Sequence, residues 1–217
     1  MPPSTRPVPA VASRTPPRRR LSSDERQREI VATVLALARE RGPDAITTHA
    51  IAERMGLTQG AVFRHFPDKQ AIWLAVFAWV RESLGAAITA AIEEADSPLA
   101  RIERAFLAHV AFIAANPGVP RVMFHEMQYP GDSPVRAEVR AMIDSYRQRL
   151  TQLFMQAKAA GELPRDLDAT LAPVSFIGAV QGLVIEASLA GDEAGMVKRA
   201  RKLLPLLLDG YRGRRKP

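Results

Sequence analysis

Gly56-Leu57-Thr58 divides two helical patterns that are each too short to stand alone. Before it, Ile51, Ala52 and Met55 recur at helical spacing behind Thr47 or Thr48 as N-cap. After it, a second stretch opens near Thr58, runs to about His65 and places Val62 and Phe66 inward. Isolated helices below roughly 12–15 residues are marginal in water. The two must therefore pack on each other and on a third element. A glycine suits the position just past a helix, where positive φ is wanted. Two short helices joined by a three-residue glycine turn make a helix-turn-helix arrangement.

The rest of the chain is also helical in pattern. A helix ahead of the pair carries Ile30, Val31, Val34, Leu35 and Ala38 behind Ser23-Asp24-Glu25 and stops at Gly42-Pro43. After Pro67, helices are predicted over about 68–85, 98–115, 120–127, 134–160, 168–190 and 193–211. No stretch alternates with period 2 long enough for a sheet, and no internal repeat is visible. The fold class is all-α: an N-terminal three-helix helix-turn-helix head plus a C-terminal helical bundle. The expected organisation is 1–23 as a disordered basic arm, 24–70 as the helix-turn-helix head and 71–217 as the helical bundle.

Charge points to an acidic partner. The 217 residues carry 30 basic and 23 acidic side chains. Residues 1–80 hold 12 basic and 7 acidic ones, so the excess sits mainly in the shorter N-terminal part. Residues 1–23 contain six prolines, with no acid before Asp24. They read as a solvated leader or as an arm that holds DNA through Arg14, Arg18, Arg19 and Arg20. There is no apolar leader region at the N-terminus. The longest unbroken apolar run, Ala71 to Val80, is ten residues, so the chain is read as cytoplasmic with no membrane partner. Cysteine is absent, which removes thiolate metal sites and cysteine nucleophiles. His125-Glu126 lacks the second histidine of a zinc-protease helix, since Tyr129 stands there. Phosphate-binding and nucleophile-elbow glycine motifs are absent too. No catalytic residue, metal or cofactor is expected.

In a helix-turn-helix the N-terminal end of the second helix reaches base edges in the major groove. Here that end is Thr58, Gln59, Gly60 and Ala61. Glutamine suits the adenine edge, and the small residues let backbone approach the duplex. The segment resembles the DNA-binding domain of the TetR family of bacterial regulators. The likeness rests on Gly42, Thr47-Thr48, Ile51-Ala52, Gly56-Leu57-Thr58, Gly60-Ala61-Val62-Phe63, His65-Phe66 and Lys69. The resemblance implies that Thr48, His65 and Lys69 bind phosphates and that His49, Gln59, Ala61 and Arg64 face bases. Phe63 stands where the family usually has tyrosine. It keeps the apolar contact but loses a phosphate hydrogen bond worth about 1 kcal/mol.

The resemblance further implies a homodimer on a palindromic operator, paired through the last two helices. It also implies a small hydrophobic effector held among the central helices, which makes 24–70 the DNA-binding domain and 71–217 the helical effector-binding and dimerisation domain. Gly178 and Gly182 lie on one face of their helix and permit close packing. On the residues alone, these helices either pair with a second copy or fill their own core. Phe106, His109, Phe112, Met123, Met127, Tyr146 and Phe176 are the candidate effector residues, although stripes of this kind also build ordinary cores. His109 and Tyr146 are the first choices to orient a ligand. The reading is a repressor released by an apolar effector. The alternative is a regulator of the same fold that answers to a protein partner.

Overall fold

The computed structural model describes residues 22–128 and 131–213. The arm expected over 1–23 lies outside them except for Ser22 and Ser23. Nine α-helices and one 3-10 turn make up the described residues, with no strand among them.

Helix α1 (Ser23–Arg41) begins one residue earlier than its acidic turn suggests. Ser22 is the N-cap. Its hydroxyl accepts from the Glu25 amide at 3.1 Å, and the Glu25 carboxylate accepts from the Ser22 amide at 2.7 Å. This reciprocal capping box needs serine and glutamate three apart. Ile30, Val34 and Ala38 make the buried face of α1. A 3-10 turn at Pro43–Ala45 leads to α2 (Thr48–Met55). Thr47 caps α2, and Gly56 ends it at φ 63°, ψ 36°, a left-handed conformation that favours glycine. Thr58 caps α3 (Gln59–Phe63), which closes two residues sooner than its pattern predicts.

Helix α4 (Lys69–Glu93) extends eight residues past the expected end at 85. Gly85 does not break it, since a lone glycine inside a helix costs only about 1 kcal/mol and α4 is packed along its length. The helix runs from the head deep into the body, packing on α1 at one end and on α5 (Pro98–Ala115) and α7 (Pro134–Ala159) along the rest. Helix α6 (Gly118–Gln128) starts two residues before expectation. Helix α8 runs over Ala172–Ala190, four residues later than predicted. The Asp168 carboxylate there binds the Thr170 and Leu171 amides and the Thr170 hydroxyl, forming a turn rather than a helix. Helix α9 (Met196–Arg212) packs on α5 and α8.

Two helices, α4 and α8, are long and apolar enough by length and composition to cross a membrane, although no unbroken run in the sequence is. Both are built into the bundle. Ile72, Val76, Phe77 and Val80 of α4 are buried in the core, as are Phe176, Val180 and Ala187 of α8.

Candidate nucleic-acid interface and effector cavity

None of the head's candidate residues is buried. Thr48, His49, Thr58, Gln59, Gly60, Ala61, Phe63, Arg64, His65 and Lys69 are all exposed or half-buried. Beneath them, Ile51, Ala52, Met55 and Val62 are buried and lock α3 to α2. The Gln59 amide donates to the Thr48 hydroxyl at 2.6 Å. The expected base reader and the expected phosphate binder thus hold each other. Thr48 keeps its own hydroxyl hydrogen to donate outward. A Cβ at Gly60 would meet nothing within 4 Å, so no close contact inside the protomer requires a glycine there. Phe63 is 42% exposed, which is unusual for a large apolar ring. Lys69 opens α4 behind the N-cap Asp68 and carries its ammonium 6.0 Å from the Trp73 ring. His65 is tied to the start of α1: its Nδ1 lies 3.3 Å from the Ser23 hydroxyl, and its carbonyl accepts from Gln27 at 3.2 Å.

In the body, an apolar cavity of about 90 Å³ lies between α4, α5, α6, α7 and α8. His109, Met123 and Tyr146, three of the seven expected effector residues, line it. The other four do not. Phe106 and Phe176 pack edge to face, with centroids 5.2 Å apart, and are fully buried. Phe112 turns toward Trp79, and Met127 is 47% exposed at the end of α6. The rings chosen by periodicity therefore form core beside the cavity more than its wall. Sequence reasoning missed Gln181, a polar lining residue on the apolar 177, 180, 181, 184 stripe of α8. A lone amide on such a stripe was the available signal.

His109 and Tyr146 form the polar corner of this cavity. The Tyr146 hydroxyl lies 3.1 Å from His109 Nδ1. Burial pushes the His109 pKa down to about 4 and raises that of Tyr146. The imidazole is therefore neutral at physiological pH. With Nδ1 engaged, Nε2 is the ring nitrogen left for a ligand. Tyr146 also lines two outer clefts between α4 and α7, of about 50 and 140 Å³. It partitions the cavity from both.

The lowered His109 value sets a pH dependence. Between pH 6.5 and 4 the unfolded chain binds a proton at this residue and the folded chain does not. Stability should fall as pH is lowered through that window, by about 3 kcal/mol in all. Urea unfolding at pH 7 and pH 4.5 checks it. His109→Gln, which keeps a partner for Tyr146 but does not titrate, should flatten the difference.

Helix α6 joins cavity and head. Val119, Pro120, Met123 and Phe124 line the cavity. From the same helix Gly118 abuts the Leu35 carbonyl, Arg121 donates to the Arg39 carbonyl, and His125 lies 3.6 Å from Asp44.

Two family models match. Residues 30–76 fit the bacterial regulatory proteins of the tetR family, and residues 95–185 fit the tetracyclin repressor-like C-terminal domain. The chain belongs to the tetR family. It is a DNA-binding transcription regulator. Among curated relatives, nucleoid occlusion factor SlmA of Aliivibrio fischeri is 24% identical over 147 residues, 67% of this chain and 74% of that protein. Among solved structures, the fatty acid degradation regulator FadR of Bacillus halodurans superposes with a TM-score of 0.76 at 20% identity, covering 87% of this chain and 97% of that one. FadR of Bacillus subtilis in complex with stearoyl-CoA gives 0.70 at 18%, covering 84% and 98%. At these identities the structural likeness speaks for the fold, which in the tetR family joins a helix-turn-helix head to a helical body.

Proposed function

We propose that this tetR-family chain is a homodimeric repressor, released from a palindromic operator by a small, mostly apolar, uncharged effector. The observation that carries the effector is the cavity bounded by α4 and α6, the two cavity helices that also hold the head. A ligand that shifts either helix moves α3 relative to its partner copy. A differential affinity of a few kcal/mol suffices to swing such an equilibrium.

The lining sets the ligand's chemistry. Its apolar side chains reward burial at about 25 cal/mol per Å². Neutral His109 offers no charge to pair an anion inside, and an unpaired buried charge is prohibitive. His109, Tyr146 and Gln181 supply the few polar groups that orient a carbonyl or hydroxyl. The resting volume is below the roughly 150 Å³ that admits benzene in an engineered apolar cavity. A larger ligand would enter by turning the Tyr146 ring into its outer clefts.

A thermal-shift screen with neutral apolar alcohols and ketones, followed by operator-release assays on the hits, tests this. Hits should raise the melting temperature and weaken operator binding together. Tyr146→Ala should alter the size range of ligands accepted. If only divalent metals or hydrophilic anions released the DNA, the effector reading would fall. The small cavity also favours a second reading, control by a protein partner, and silence across the whole screen would select it.

The head has its own test. Lys69→Ala removes a phosphate partner and should weaken binding to every sequence, lowering the salt slope by about 1 per protomer. Gln59→Ala should instead relax base preference, by about 1–3 kcal/mol at one position. Binding of both variants to a selected operator with wild-type affinity and selectivity would refute the head assignment.

A further inference from the structure

We infer that Thr48 is a positioning residue for base reading: its hydroxyl, once bound to a DNA phosphate, orients the Gln59 amide so that α3 selects adenine over guanine. The inference rests on the head being the DNA-binding unit and deepens that reading. Three threonines stand at the helix starts of the pair. Thr47 and Thr58 use their hydroxyls as N-caps, accepting from the Ala50 amide at 3.0 Å and from the Ala61 amide at 3.2 Å. The Thr48 hydroxyl accepts instead from Gln59 Nε2 at 2.6 Å, across the gap between α2 and α3. Each of the two residues is the first of its helix. The backbones that carry them are held by the buried Ile51, Ala52, Met55 and Val62. The bridge therefore joins two fixed points, and only the side chains can turn.

A primary amide can bridge to a hydroxyl in two ways. Either Nε2 donates to Oγ1, or Oε1 accepts the hydroxyl hydrogen. The two arrangements offer different groups to a base. With Nε2 on Thr48, Oε1 is free to accept and the second Nε2 hydrogen is free to donate. That pair matches the adenine edge, where N6 donates and N7 accepts. With Oε1 on Thr48, the free Nε2 hydrogens suit guanine, whose O6 and N7 both accept. A hydroxyl has one hydrogen. Once a phosphate takes it, Thr48 can only accept, and the amide is held in the first arrangement. That is the arrangement in the structure. Docking on the backbone thus sets which base is read.

The competing role for Thr48 is the phosphate contact alone. A hydroxyl that served only the phosphate would leave Gln59 to turn freely, and its loss would weaken every sequence alike. A hydroxyl that also orients Gln59 reveals itself at one base pair. Linked hydrogen bonds polarise one another, so phosphate, Thr48 and Gln59 act as a unit. The pattern across sequences, more than the size of the loss, separates the two roles.

The experiment starts from a duplex that the full wild-type chain selects out of random sequence. That duplex and its single-base variants are titrated by fluorescence anisotropy with wild type, Thr48→Val, Thr48→Ser, Gln59→Ala and the Thr48→Val/Gln59→Ala double variant. Gln59→Ala identifies the base pair that Gln59 reads. At that pair the wild type should prefer adenine, and Thr48→Val should lower the preference over guanine about 3–10-fold, the share of one hydrogen bond. Thr48→Ser keeps the hydroxyl and should keep the preference. In the Gln59→Ala background, Thr48→Val should weaken all duplexes by one common factor. Thr48→Ala also lacks the hydroxyl and repeats the comparison with a better helix former. Three results overturn the proposal: equal weakening of every duplex by Thr48→Val, a guanine preference in the wild type, or a Thr48→Ser variant as unselective as Thr48→Val. Each leaves the head reading in place if Gln59→Ala still flattens one base pair. If Gln59→Ala flattens none, the base-reading role of Gln59 and the positioning role of Thr48 fall together.

Discussion

Gly118→Ala should destabilise the protein by about 3 kcal/mol and lower its melting temperature by roughly 6–12 °C. A methyl group at this position would lie 2.1 Å from the Leu35 carbonyl oxygen and 2.9 Å from its carbon. No real pair of atoms tolerates that approach, and the obstacle is backbone. A flexible side chain could swing away, but Leu35 is in the middle of α1, with its carbonyl fixed in the helix. The remaining outlet is for α6 to move off α1. That movement would strain the Arg121 bond to the Arg39 carbonyl and the His125–Asp44 pair, and it would open the cavity wall at Val119 and Pro120. Operator affinity should therefore fall together with stability. Gly85→Ala is the matched control. Its new methyl would meet only the Arg149 side chain at 3.6 Å, ordinary contact, in the interior of α4. Relief of the glycine penalty should stabilise that variant by about 0.5–1 kcal/mol. Calorimetry on the two variants checks the contrast, and equal melting temperatures would refute the close approach.

That contact also marks where sequence reading stops. Asn116-Pro117-Gly118 reads locally as the end of α5, and it is one. The stronger reason for a glycine is Leu35, far away in sequence on another helix. The head was legible because its determinants are short-range. Thr47 and Thr58 each accept from the amide three residues on, Gly56 turns the chain, and the buried residues of α2 and α3 lie within a few turns of one another. The capping box at Ser22 and Glu25 is short-range too, but the acidic turn after Ser23 drew the reading one residue past the true cap. The cavity was not. Helical periodicity says that Phe106, Phe112 and Phe176 face inward, and Phe106 and Phe176 are fully buried. It cannot say which inward ring meets another ring and which meets empty space. That depends on how five helices cross. Likewise the run of α4 past Gly85 rests on its packing against α5 and α7, which no local signal near Gly85 reports.

Replacing Gly178 and Gly182 together by phenylalanine should convert the protein to a monomer and weaken operator binding at least 100-fold. The two positions belong to an outward stripe on α8 that includes Leu171, Val174, Ile185 and Leu189, with Leu206 on α9. Leu189 is 86% exposed and Leu206 69%, so a protomer alone would leave large apolar side chains in water. A second copy is the occupant that the half-site logic of a helix-turn-helix reader calls for, since paired heads must sit about one DNA turn apart. Within the protomer, a Cβ at Gly178 or Gly182 would meet nothing within 4 Å. The substitutions therefore start from exposed positions with room at Cβ, and unchanged helix content would assign the effect to the partner. Across a two-fold axis, two small residues four apart allow backbones to approach closely, and two phenyl rings hold them apart. Sedimentation at micromolar concentration reads the outcome, and far-UV circular dichroism should show unchanged helix content. A variant that still sediments as a dimer, or a wild type that is already monomeric, would place the interface elsewhere and remove the two-fold relation on which operator reading depends.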